Sequence, residues 1–144
     1  MKSITLLTVL ASCGAPRSTE AISPSITAEV ASVPFENDFG LIFVEVAVGN
    51  APSRWFLLDS GADQTLLDRD AARELGIQSS SDAKTAQPGG EIEIGHAHDV
   101  TFRVGDARFI ASDVWVTPLK GLHSFVGRKF DGLIGHAFLE RYVT

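Results

Sequence analysis

From Val33 onward the chain is a succession of short extended runs divided by turn formers, and this pattern most constrains what it can fold into. Leu41-Ile42-Phe43-Val44-Glu45-Val46-Ala47-Val48 is rich in β-branched and aromatic residues, the make-up of a half-buried strand. Gly49-Asn50-Ala51-Pro52-Ser53 interrupts it with residues that favour turns. Trp55-Phe56-Leu57-Leu58 is a second, wholly apolar strand that stops on Asp59. The two strands predict a hairpin that carries a carboxylate out of a buried strand into a loop. Glu91-Ile92-Glu93-Ile94 alternates, Asp99 to Val104 and Arg108 to Ile110 flank a Gly105-Asp106 turn, and Val114-Trp115-Val116 adds more strand. Asp68 to Leu75 is the one convincing internal helix: Asp68 can cap its start, Ala71, Ala72 and Leu75 share a face, and Gly76 suits its end. Pro118 to Arg128 reads as irregular. The fold class is therefore mainly β.

Of the 144 residues, 44% are hydrophobic and 21% charged, a balance that fits one soluble domain with a small core of its own. A formal net charge of -6 argues against nucleic acid as a partner. The one cysteine, Cys13, excludes an internal disulfide and any metal site built from several thiolates. Lys2, the apolar run Ile4 to Leu10 and the small residues Ala11 and Ser12 read as a cleaved export signal, too short to span a bilayer. Leu10-Ala11-Ser12-Cys13 resembles a bacterial lipobox, in which the cysteine is lipidated and anchors the mature N-terminus. The alternative is an ordinary signal with an incidental cysteine. The expected organisation is a signal over 1–13, a flexible tether over 14–32 and a folded domain over 33–144, exported to a bacterial periplasm or envelope with a lipid anchor at Cys13.

Leu57-Leu58-Asp59-Ser60-Gly61-Ala62 is the first candidate for chemistry. A strand running into a tight turn holds the Asp59 carboxylate at a fixed point, Ser60 can hydrogen-bond locally or across a two-fold axis, Gly61 lets backbone approach the acid, and Ala62 leaves room. Asp-Ser-Gly by itself is an ordinary structural turn. The second candidate is Phe130-Asp131-Gly132-Leu133-Ile134-Gly135-His136-Ala137-Phe138-Leu139, where two apolar residues run into a glycine.

With these two motifs in this order and at this separation, the chain resembles the retropepsin-like aspartic proteases, most closely their bacterial periplasmic branch. Asp59-Ser60-Gly61-Ala62 matches the family's Asp-Thr/Ser-Gly-Ala turn, and Leu133-Ile134-Gly135 matches the segment beside it, with His136 to Tyr142 as the helix that follows. The resemblance covers Val33 to Thr144. It implies a closed β-barrel or sandwich lobe with a flap hairpin and one or two short helices. Asp59 would be the catalytic residue, with Ser60, Gly61, Ala62, Leu133, Ile134 and Gly135 as its support. Pro88-Gly89-Gly90 lies where the family has a flap that closes over substrate; the plain alternative is a hairpin turn.

The resemblance also implies a mechanism in which two carboxylates share one proton and activate a water against a peptide bond. Asp131 does not qualify as the second, because it precedes the apolar-apolar-Gly segment and is better placed to fix the turn or meet solvent. The partner aspartate must come from a second lobe or a homodimer partner. The sequence stops at Thr144 where the family continues with another strand, so a truncated or fragmentary chain is expected, with the first half of a two-lobed enzyme and a homodimer subunit both left open. The expected partners are a peptide or protein substrate and that second half; no cofactor and no metal is expected. A rival reading is a catalytically inactive envelope-associated binding or structural module with the same fold. His96 and His98 form a His-x-His pair that would share a strand face, an arrangement seen in metal ligands but more often merely solvated. Ser60 lacks the surroundings of a nucleophile. Trp55, Phe43 and Trp115 read as core.

Overall fold

The structure, a computed structural model, describes residues 32–87 and 90–142, and of residues 81–87, 90 and 91 the backbone alone. The leader with Cys13, the tether as far as residue 31, and Pro88 and Gly89 of the expected flap lie outside the described residues.

Among the described residues, ten strands and three short helices follow one another in the order β1 (Phe35–Asp38), β2 (Leu41–Val48), β3 (Arg54–Leu58), β4 (Thr65–Asp68), α1 (Arg69–Glu74), β5 (Ser80–Gln87), β6 (Gly90–Ala97), β7 (Val100–Val104), β8 (Ala107–Ala111), β9 (Val114–Thr117), α2 (Lys120–Val126), β10 (Gly132–Ile134) and α3 (His136–Tyr142). All ten strands belong to one sheet, curled into a half-barrel, with the order β5-β6-β9-β4-β10-β3-β2-β7-β8 and β1 paired to β2. The mainly β fold expected from the sequence is the one observed.

The β2–β3 hairpin forms as expected, in antiparallel register from Ile42 opposite Leu58 to Val46 opposite Arg54. One expectation about it needs correcting. Instead of being half-buried, β2 is buried on both faces at Phe43 and Val44 and again over Val46 to Val48. The cause is a second apolar layer. Val44, Val46, Val48, Phe56, Phe102 and Ile134 belong to the main core, whereas Phe43, Leu57 and Leu133 face the other way into a smaller cluster closed by Leu119 and Phe130. Opposite faces of adjacent residues are the two-residue period of a strand. Each fully buried side chain of this size stabilises the fold by about 1.5–3 kcal/mol relative to exposure.

The second layer depends on α2, which falls in the stretch 118–128 that reads as irregular from the sequence. α2 starts without a side-chain cap and buries no residue completely, so it shows little of the pattern that marks a helix. Its Leu122 and Val126 lie partly buried on the smaller cluster. Gly127 in the left-handed conformation (φ 76°) ends it, and Arg128 then lies over the rings of Phe43 (4.2 Å) and Trp55 (4.8 Å) while pairing with Glu36 of β1. Phe43 is core, as expected; Trp55 and Trp115 are only partly buried.

The expected internal helix is α1. Asp68 is its N-cap, accepting from the amides of Asp70 (3.1 Å) and Ala71 (3.4 Å), and Ala71 and Ala72 are its buried face. β4, β1 and β5 carry no strong strand pattern of their own, and neighbours recruit them: β4 lies between β9 and β10, and β5 pairs along β6.

Candidate active site

Asp59 is the first residue beyond β3. Its position is set by β10, which runs parallel to β3 with Gly132 opposite Phe56, Leu133 opposite Leu57 and Ile134 opposite Leu58. The ladder continues past the strand end, because the Asp59 amide donates to the Ile134 carbonyl at 3.0 Å. On its other side β10 pairs antiparallel with β4, so the residues before and after the turn are held by the same central strand.

Within the turn the Gly61 amide donates to Asp59 Oδ1 at 2.9 Å and the Ala62 amide to the Asp59 carbonyl at 3.2 Å. The first bond matters chemically, since an amide aimed at a carboxylate oxygen fixes its rotamer. A Cβ on Gly61 would stand 3.2 Å from that oxygen, so glycine here leaves the acid open on this side. Asp59 is half-buried, and Ser60 and Gly61 are exposed.

The turn is locked from behind. The His136 amide, first of α3, donates to the Ala62 carbonyl at 2.6 Å. Gly135 passes so close that a Cβ on it would come within 2.5 Å of the carbonyl oxygens of both Ala62 and Gln64. Gly132 is as confined: a Cβ would overlap the Phe56 ring and the Leu66 carbonyl. The structure thus brings Asp59, Ser60, Gly61, Ala62, Leu133, Ile134 and Gly135 together in one small region.

Asp131 is the residue before β10. Its amide donates to Trp55 (2.7 Å) and its carbonyl accepts from Asp68 (2.8 Å), which ties β3 to β4, and its carboxylate lies 3.8 Å from Arg54. The expected flap is a long hairpin, β5 against β6 from Ser80 opposite His96 to Gln87 opposite Gly90, with a register shift between Ser81 and Ala83. Gly90 begins β6.

His96 and His98 both approach Asp113 Oδ1, with His98 Nδ1 at the longer distance of 3.9 Å. His96 Nδ1 is 2.9 Å from Asp113 Oδ1, whereas His98 lies past the end of β6 with Nδ1 3.0 Å from the Ser112 carbonyl. Both therefore bind the turn between β8 and β9. Trp115 donates to the other oxygen of Asp113 at 3.2 Å.

Sequence reasoning missed two features. Asp68 reaches beyond its own helix: Oδ1 accepts from the amide of Leu119 at 2.8 Å, 51 residues away. The second is an apolar cavity of about 760 Å³ walled by α2, β6 and Trp115. The only sequence signal for it is the row of apolar residues Leu119, Leu122 and Phe125, which lacks a strand period.

A curled sheet that presents an Asp-Ser-Gly-Ala turn, braced by an apolar-apolar-Gly strand and the helix after it, is a retropepsin-like aspartic protease lobe. The profile of the aspartyl protease family matches residues 44–138, and the chain belongs to that family. Among solved structures it is similar to the EIAV protease complexed with the inhibitor HBY-793, at 17% identity and a TM-score of 0.50 over 80% of this chain and 92% of that one. It is also similar to a retropepsin-like aspartic protease from Rickettsia conorii, at 19% identity and a TM-score of 0.57 over 76% of this chain and 85% of that one. At these identities the likeness is one of fold. Among curated proteins none matches.

Proposed function

We infer that this chain is one half of an aspartic endopeptidase in which Asp59 and a matching aspartate from a second copy or a second lobe activate a water. The observation that carries the reading is the Asp59 carboxylate held by the Gly61 amide at 2.9 Å in a turn clamped by β10 and α3. Two carboxylates about 3 Å apart cannot both ionise, so a pair shares one proton. The ionised member takes a proton from water as its oxygen attacks the peptide carbonyl; the protonated member donates a hydrogen bond to that carbonyl oxygen. Collapse of the tetrahedral intermediate breaks the C–N bond, and the amine leaves with a proton. Ser60 and Gly61 hold the acid, Leu133, Ile134 and Gly135 support it, and the β5–β6 hairpin, as the expected flap, covers the substrate.

Asp59→Asn in the full chain tests this. It preserves size and removes the charge, so cleavage of a casein or fluorogenic peptide substrate is expected to disappear with the fold unchanged by circular dichroism. Full cleavage by the variant would remove Asp59 from the chemistry. A wild-type chain that neither cleaves nor binds a pepstatin-type inhibitor would favour the inactive module instead.

The site of action belongs to the same proposal. The leader 1–13, with its lipobox-like end at Cys13, supports export to a bacterial envelope and a lipid anchor. Cys13→Ala would then release the protein from the membrane fraction, and unchanged fractionation argues for an ordinary signal.

A further inference from the structure

His96 and His98 take no part in holding Asp59, yet both rings are fixed through the same nitrogen. His96 Nδ1 stands 2.9 Å from Asp113 Oδ1, and His98 Nδ1 stands 3.0 Å from the Ser112 carbonyl and 3.9 Å from the same Asp113 oxygen. A backbone carbonyl offers only lone pairs. So does the Asp113 carboxylate, whose other oxygen accepts from Trp115 Nε1 at 3.2 Å. Nδ1 therefore carries the proton in each ring, and a neutral imidazole protonated there has its lone pair on Nε2.

Histidines that bind metal characteristically donate their other N–H to a carboxylate or a backbone carbonyl, which fixes the ring and raises the basicity of the coordinating nitrogen. Asp113 and Ser112 supply one of each. The two histidines are two positions apart, where side chains share a face with about 7 Å between Cα atoms, and both lie against the β8–β9 turn. His96 is the anchored one: it sits between Ser80 of β5 and Trp115 of β9, with the Trp115 ring edge-on at 6.0 Å. The His98 side chain is 66% exposed and leaves the site open to water. The described partners of Asp113 are these two rings and Trp115, none with a permanent positive charge, so its negative charge acts on a cation beside them.

We propose that His96 and His98 form a two-nitrogen site for a divalent transition ion, Zn²⁺ or Cu²⁺, oriented by Asp113 and Ser112, and that the ion pins the root of the β5–β6 hairpin to the β8–β9 turn. Among the described residues no three histidine, cysteine or acidic side chains gather around one point, so water completes the coordination. Imidazole nitrogen suits zinc and copper, whereas calcium and magnesium require oxygen. A bound cation polarises each ring and strengthens its Nδ1–H bond to Asp113 or Ser112, which is how the pinning arises. None of this depends on the endopeptidase reading.

The test is a calorimetric titration of Zn²⁺ into the full chain carrying Cys13→Ala, which removes the one thiol. One equivalent is expected to bind at about pH 7.5 and to bind at least ten-fold more weakly at about pH 5.5, because protons compete for Nε2. His98→Gln, a change at an exposed side chain that leaves the fold intact, should abolish that equivalent. Asp113→Asn should weaken it about ten-fold. No binding, or an equivalent kept in H98Q (an adventitious ion only), overturns the site, and an unchanged affinity in D113N overturns the role of Asp113. Zn²⁺ should also raise the melting temperature of the Cys13→Ala chain and not that of the same chain with H98Q; no rise overturns the pinning. Cu²⁺ reports the location. It should quench tryptophan emission in Trp55→Phe, which retains Trp115 beside His96, and not in Trp115→Phe; the opposite pattern, or equal quenching in both, places the ion elsewhere and overturns the proposal.

Discussion

Gly135 and Ala62 are in closer contact than any residue other than glycine would allow. A Cβ on Gly135 would stand 2.5 Å from the Ala62 carbonyl oxygen, and the next amide, that of His136, donates to that same oxygen at 2.6 Å. The turn carrying Asp59 and the segment starting α3 are therefore one mechanical unit. Gly135→Ala must push the two apart. We expect a loss of stability of about 1–3 kcal/mol, the range for overpacking, and a fall in peptide cleavage larger than stability explains. Denaturant midpoints and kcat read the two effects, and a variant equal to wild type in both would show that the contact is not rigid.

Asp68 joins three amides from two parts of the chain, those of Asp70 and Ala71 in α1 and that of Leu119 before α2. It is 7% exposed. Asp68→Ala removes a helix cap, about 0.5–2 kcal/mol, and leaves the Leu119 amide without its partner, a further cost of about 1–3 kcal/mol. Urea denaturation should show the combined loss. Asp68→Asn, which keeps an acceptor oxygen, should show a smaller one; equal losses in the two variants would contradict this account.

Phe39 and Gly40 form the turn between β1 and β2, and both have positive φ, 51° and 83°. Two-residue hairpin turns with positive φ at both positions favour Asn-Gly, and a bulky residue is strained there. Phe39 is also 94% exposed, so it gains no internal packing in return. Phe39→Asn is expected to raise stability by about 0.5–1 kcal/mol. A melting temperature at or below that of wild type would count against it.

Tyr142 is the one tyrosine of the chain, and its hydroxyl donates to the Arg108 carbonyl at 2.9 Å. Burial holds its pKa above the usual 10.0, against the smaller opposing pull of Arg141. A phenol whose folded pKa is raised contributes stability that is complete below its unfolded pKa and is lost as pH rises through the folded one. Phenolate absorbance should therefore rise later in the native chain than in urea. Stability should fall above about pH 10, and Tyr142→Phe should flatten that fall. Coincident native and denatured titrations would refute the assignment.

Much of the fold was legible because its signals are local. The run Leu41 to Val48, the turn formers after it and the apolar residues before Asp59 predict a hairpin without reference to the rest of the chain, and Asp68 with Gly76 brackets a helix by capping chemistry. The two motifs of the candidate site were legible for a related reason: each demands a particular residue at a particular bond, an acid at Asp59 and no side chain at Gly61 and Gly135. α2 was not legible, since half its surface is open and its register comes from contact with the layer of Phe43, Leu57 and Leu133. For β1, β4 and β5 the deciding factor is likewise a neighbour: β4 lies between β9 and β10, while β1 pairs along β2 and β5 along β6.

The amino-acid sequence alone determined the mainly β class, the family resemblance, and the residues assigned to hold and support Asp59. Those depend on periodicity and on stereochemistry, which are properties of a few adjacent residues. Only the tertiary structure decided that β2 is buried on both faces, that Asp68 ties α1 to the start of α2, and that Trp115 walls a cavity instead of filling a core. Each of these depends on which surfaces meet across tens of residues, and burial and hydrogen-bond partners exist only once those surfaces have met.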